Sequence, residues 1–179
     1  MEEPNMKKIK LIMMAVLVTV LAVGCSKGAE NNTSTSEVSP EVIITKIQEL
    51  LSTSYDIPLQ DGALPGYNVI DMTDPEQMLM YEGTFNTEDI ESGYILQPMM
   101  NVKSELVMVA KAKDATALEN IKAGYEKVLS DQDAMWSQYL PDQYEFVKGN
   151  VIKTQGNYAL YVTSEKAEEI VKLFEEQVK

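Results

Sequence analysis

Few residues in this chain could do chemistry, and the missing types define them. There is no histidine, so a Ser-His-Asp triad, a His-ligated zinc and an imidazole base are all excluded. No Ser-x-x-Lys occurs, and no glycine-rich phosphate loop follows a strand, since Gly62 to Gly66 is interrupted by proline. Glu105 is the odd carboxylate, because it opens the apolar run Leu106 to Ala110. An edge or surface place is expected for it, since glutamate is rarely buried. An inward side chain would need hydrogen bonds or a raised pKa, which would make Glu105 the best single site candidate. Trp136, Tyr139 and Tyr144 could form a platform for sugar rings, although Trp136 lies on an apolar helical stripe and is expected in the core. Met72, Met78, Met80, Met99, Met100 and Met108 offer thioethers that suit Cu(I), but methionine more often fills core gaps. Asp131-Gln132-Asp133 sets carboxylates two apart without the glycine and distal glutamate of a calcium loop, so it is expected at the surface. With 28 acidic residues, many carboxylate pairs could be imagined for a carboxylate-based glycan hydrolase, and none is informative. No catalytic residue, cofactor or metal is therefore expected.

The single cysteine, Cys25, carries a clearer message. Lys7, Lys8 and Lys10 precede an apolar run, Leu11 to Val23, and small residues follow before Cys25. That is the layout of a secretory leader, with Met6 opening its more usual form. The run is shorter than the ~20 residues a helix needs to cross a bilayer. Leu21-Ala22-Val23-Gly24-Cys25 resembles the bacterial lipobox, with Ala22 in place of the usual leucine. The expectation is a lipoprotein signal peptide over 1–24, cleaved before an acylated Cys25 that anchors the chain on the extracytoplasmic face of the cell membrane. Acylation of that sulfur would leave no thiol for disulfides or catalysis.

Residues 25–39 then read as lipidated cysteine and tether. Ser26 to Ser39 is rich in Ser, Thr, Asn and Glu and has too little apolar surface to fold. It would span roughly 20 Å as a coil and about 50 Å if drawn straight. The net charge of −13, with no arginine at all, argues against nucleic acid and anionic lipid as partners.

Residues 40–179 are of a length for one domain. Ser39-Pro40-Glu41 starts a helix that carries Ile43, Ile44, Ile47, Leu50 and Leu51 at helical spacing to about Ser54. Residues 55–73, with Pro58, Gly62, Pro65 and Gly66, read mostly as loop. Asp74-Pro75-Glu76-Gln77 opens a short helix to Gly83. Gly93 to Met100 and Glu105 to Lys111 form a hairpin linked around Asn101-Val102-Lys103. Asp114 caps a long helix that ends near Leu140, before Pro141. Strands follow at Tyr144 to Lys153 and Tyr158 to Thr163, turned at Gly156, and an amphipathic helix from Ser164 closes the chain. This order predicts an α+β domain of two layers, a four-stranded, mostly antiparallel sheet of two hairpins with the helices on one face.

The run Pro98-Met99-Met100-Asn101, then Glu105, Lys113-Asp114, Trp136, Tyr139-Leu140-Pro141, Gln143-Tyr144 and Gly156-Asn157-Tyr158 resembles an uncharacterised family catalogued as a domain of unknown function. Its members are mostly small lipoproteins of Gram-positive bacteria. The resemblance implies an address and a fold but no activity. Asn101, Glu105, Trp136, Tyr139 and Tyr144 are the candidates for a ligand or interaction surface. The leading expectation is a non-enzymatic module on the membrane that binds a membrane protein complex or a wall polymer. A small-ligand receptor with a cleft beside Gly62–Gly66 comes second, and a carboxylate-based hydrolase of wall glycan third.

Overall fold

The structure is a computed structural model that describes residues 38–179. The leader, Cys25 and nearly all of the tether lie outside those residues.

Helix α1, Pro40–Tyr55, starts as its sequence dictates: the Ser39 hydroxyl accepts from the Val42 N–H, and Pro40 stands where a missing N–H costs nothing. Its apolar stripe of Ile43, Ile44, Ile47 and Leu51 is fully buried. The loop that follows is held by Gln48, whose side-chain oxygen accepts from the Leu64 N–H at 3.0 Å. Strand β1, Tyr67–Asp71, comes next, within a segment expected to be mostly loop. It is an edge strand with Asn68 and Val69 exposed, so the glycines and prolines before it mask a weak alternation.

Short 3₁₀ turns, Gln77–Tyr81 and Thr87–Asp89, lead into β2, Ile90–Pro98, which returns through a loop to β3, Leu106–Ala112. Helix α2, Ala115–Trp136, is capped by the Asp114 carboxylate, which accepts from the Ala117 N–H at 2.8 Å. A further helix, α3, Pro141–Lys148, replaces the strand expected from Tyr144. Pro141 does double duty: it disfavours helix in Leu140 before it, and with φ already set it begins the next helix at N1. Strand β4, Val151–Gln155, and β5, Tyr158–Thr163, form the expected hairpin, with Gly156 at φ +57° in a two-residue turn. Helix α4, Ala167–Gln177, ends the fold.

The result is one open sheet of five strands in the order β1-β2-β3-β5-β4, with every neighbouring pair antiparallel. Two expectations are corrected here. The sheet has five strands rather than four, because β1 adds an edge. The helices cover both faces rather than one, so the domain has three layers. On one face α1 and α4 pack Ile47, Leu51, Ile170 and Phe174 against Val107, Val109, Leu160 and Val162. On the other, α2 packs Ile121, Tyr125 and Val128 against Met108, Ala110, Ala159 and Tyr161. The physical reason lies in β3 and β5: Leu106 to Ala110 and Tyr158 to Val162 are buried without interruption, as a strand covered on both sides must be.

Helix α1 runs from one end of the sheet to the other. At its start the Tyr158 hydroxyl donates to the Val38 carbonyl at 2.8 Å, and at its finish Tyr55 reaches the chain before β3.

Candidate functional site

At the end of the sheet where β3 begins, polar side chains gather. Glu105 is buried, with 7% of its surface exposed, and does not lie at an exposed edge. Tyr55, at the end of α1, donates to one of its oxygens at 2.7 Å, and Ser164 donates to the same oxygen. Tyr67, at the start of β1, donates to the other. Three hydroxyls from three elements thus supply the hydrogen bonds that a buried carboxylate needs. Burial, followed by the charge of Glu105, pushes the Tyr55 phenol far above its ordinary 10.0. Burial and then the hydrogen bond to Glu105 do the same to Tyr67. Both phenols therefore keep their protons and donate hydrogen bonds to Glu105.

A second knot of bonds lies beside the first. The Gln132 side-chain oxygen accepts from Tyr161 at 2.7 Å and from Thr163 at 2.9 Å, while its nitrogen donates to the Ser104 carbonyl at 3.1 Å. Gln143 accepts from the Ser104 N–H at 2.9 Å. These glutamines bind α2 and the start of α3 to the loop before β3, so that loop has a fixed root and an exposed tip.

Two clefts flank Glu105, and both are also lined by Lys103. The first, of about 310 Å³, lies between the second half of α2, the 3₁₀ turn Gln77–Tyr81 and the β2–β3 loop. Its rim holds Met80, Met100 and Met135, which are 78%, 70% and 57% exposed. Leu79, Met99 and Tyr139 are also exposed but do not line the cleft. Inside stand Gln97, which accepts from Tyr81 at 2.8 Å, and Trp136. Burial raises the Tyr81 phenol to about 12. The second cleft, of about 320 Å³, is lined by Tyr55, Ile57, Phe146 and Glu165 among others.

The sequence candidates fall in different places. Asn101, Glu105 and Trp136 all line the first cleft. Trp136 is only 4% exposed and meets Tyr139 ring to ring at 5.8 Å, so it packs as the helical stripe implied. The Tyr144 hydroxyl donates to Asp133 at 2.7 Å, and Lys148 lies over its ring. The three aromatics do not make one open platform. Of the six methionines, Met72, Met78 and Met108 are core, while Met80, Met99 and Met100 are exposed. Asp131 pairs with Lys127, as expected of a surface carboxylate. None of residues 62–66 lines either cleft. Tyr55, Tyr67, Ser164 and Lys103 are the site residues that sequence reasoning missed. Only a glutamate opening an apolar strand hinted that such partners must exist.

Comparison with known proteins adds one finding. The model of a family described as a domain of unknown function, DUF4358, matches residues 68–164. No curated protein and no solved structure matches the chain.

Proposed function

The chain belongs to the DUF4358 family, a domain of unknown function, and we propose that it is a non-enzymatic docking module. Its first cleft takes an apolar side chain of a partner protein. The observation that carries this reading is the set of exposed methionines, Met80, Met100 and Met135, at an opening lined inside by both polar and apolar groups, Gln97 and Gln132 with Leu106 and Trp136. Thioether side chains are unbranched and polarisable, and they re-pack around apolar partners at little cost. Exposed apolar groups gathered at one opening mark an interaction surface more often than chance does. Gln97 inside the cleft and Asn101 on the exposed loop at its mouth offer amide groups to a peptide backbone.

The address belongs to the same proposal. Among the described residues no helix is long and apolar enough to cross a membrane. The lipobox-like Leu21-Ala22-Val23-Gly24-Cys25 supports anchoring through acylated Cys25 on the extracytoplasmic face, and a membrane protein complex is then the partner within reach.

The test is a photoreactive methionine analogue incorporated into the full chain in its native membrane. One recurrent crosslinked protein is expected, attached through Met80, Met100 or Met135. Capture should fall at least tenfold with M100E and M135E combined, changes at exposed positions that leave folding within about 0.5 kcal/mol. Crosslinks that ignore these substitutions, or none at all, would remove the proposal.

A further inference from the structure

The geometry points to the second cleft as a binding site for a small organic ammonium ion, with the Lys103 side chain as its resident occupant. This cleft shares Lys103 and Glu105 with the docking cleft and is otherwise lined by different residues.

The Lys103 Nζ lies 5.1 Å from the centre of the Tyr55 ring and 5.7 Å from that of Tyr67. Both distances fall within the ~6 Å over which an ammonium is attracted to an aromatic face. Two rings turned to one cation make the beginning of an aromatic cage. Behind them is Glu105, a buried carboxylate whose bonded partners among the described residues are three hydroxyls, so its charge is solvated by hydrogen bonds but not neutralised by an ion pair. At the wall of the cleft Glu165 adds an exposed carboxylate. Among the lining residues Lys103 is the sole cation. The electrostatics of the cleft therefore favour a positive charge, and the Tyr55 ring in its wall, with the Tyr67 ring reached at the Lys103 ammonium position, favours one that is soft and poorly hydrated.

Lys103 is also a displaceable occupant. It is exposed and sits in the β2–β3 loop among exposed Met99, Met100, Asn101 and Val102, while the two rings it meets are built on α1 and β1. Its contact with the Tyr67 hydroxyl, at 3.4 Å, is long. Swinging the side chain into water costs little packing and opens the cleft. A volume of about 320 Å³ is at the small end of ligand sites and fits a solute of a few heavy atoms beyond its ammonium.

The experiment measures choline and cadaverine binding to the full chain by calorimetry, with potassium chloride at equal ionic strength as control. Choline tests quaternary ammonium recognition, and cadaverine tests a primary ammonium like that of Lys103. K103M keeps the apolar stem and removes the charge, so it should bind one or both roughly tenfold more tightly than the parent chain. Adding Y55L should reverse that gain, whereas adding Y55F, which keeps the ring, should preserve most of it. Y67L provides the same test on the second ring should Y55L fail to fold. Saturable binding lost with either ring supports the site. No saturable binding to K103M at millimolar ligand, equal displacement by potassium, or binding indifferent to both rings would overturn it, and would leave Lys103 as a strap for its own loop.

Discussion

The two faces of the sheet are built from different materials. The face under α1 and α4 has a branched-aliphatic centre, in which Ile43, Ile47, Leu51, Val107, Val109, Leu160, Val162 and Ile170 surround Phe174, while Tyr158 belongs to the same cluster and the partly buried Tyr55, Tyr67 and Tyr94 pack against it. The face under α2 combines methionine, alanine and aromatic groups, with Tyr81, Phe85, Tyr125 and Tyr161 in a chain of one tilted and two edge-to-face contacts at centroid spacings of 6.1, 5.7 and 5.7 Å. A five-stranded sheet is about 20 Å wide, and helices pack at roughly 8–10 Å from one another. Two helices close such a face; one does not. What α2 leaves uncovered is filled by the 3₁₀ turns and their aromatic side chains, and where these stop the methionine-rimmed cleft opens. The lesson is that the closed face supplies stability and the incompletely covered face supplies the opening.

Alkaline titration should break the contrast most strongly. Burial holds Tyr81 at about 12 and raises Tyr125 and Tyr161 also, against an ordinary value of 10.0. A group whose native pKa is raised contributes stability that is intact below the unfolded value and is lost as pH climbs through the native one. The domain should therefore hold its fold to about pH 10 and unfold cooperatively between about 10 and 12, with tyrosinate absorbance rising in step with loss of circular dichroism. Ionisation of all tyrosines in a still-folded chain would contradict the packing of that face.

Phe174→Ala comes next, since it empties a fully buried site on the closed face; a loss of about 3–5 kcal/mol in urea unfolding is expected. Gly124→Ala should cost about 1–3 kcal/mol, despite alanine's better helix propensity. A Cβ there would stand 2.4 Å from the Phe85 ring and 3.0 Å from the Thr84 carbonyl, so α2 would have to lift from the turns it covers. A neutral result would mean that this face is looser than its contacts imply. The smallest effect has the opposite sign. The Tyr125 hydroxyl is buried and finds no hydrogen-bond partner among the described residues. Tyr125→Phe removes an orphaned polar group and should raise stability by about 1 kcal/mol, read as an increase in Tm.

Local signals in the sequence were reliable where one residue decides the backbone. Ser39 and Asp114 cap the helices that follow them, and Gly156 turns its hairpin. They failed where one residue serves two elements, as at Pro141, or where an edge strand such as β1 carries half-polar side chains. Helices on both faces were legible in Leu106 to Ala110 and Tyr158 to Val162, which do not alternate, but the hairpin pattern suggested a half-exposed sheet. For the candidate site, Glu105 could be noticed and its surroundings could not. Tyr55, Tyr67 and Ser164 come from a helix end, a missed strand and a strand end, and only the folded chain brings their hydroxyls to one carboxylate. Lys103 read as part of a bend, because a cation over two rings leaves no trace in spacing.

The hydrogen bond from Tyr158 to the Val38 carbonyl fixes where the chain enters the domain. Entry is at the head of α1, and that helix of 16 residues carries the chain about 24 Å along the sheet to the end where Glu105 lies. The entry point and the Glu105 clefts therefore lie at opposite ends of α1, so a partner can occupy either cleft without displacing the segment from Val38 that leads into the domain.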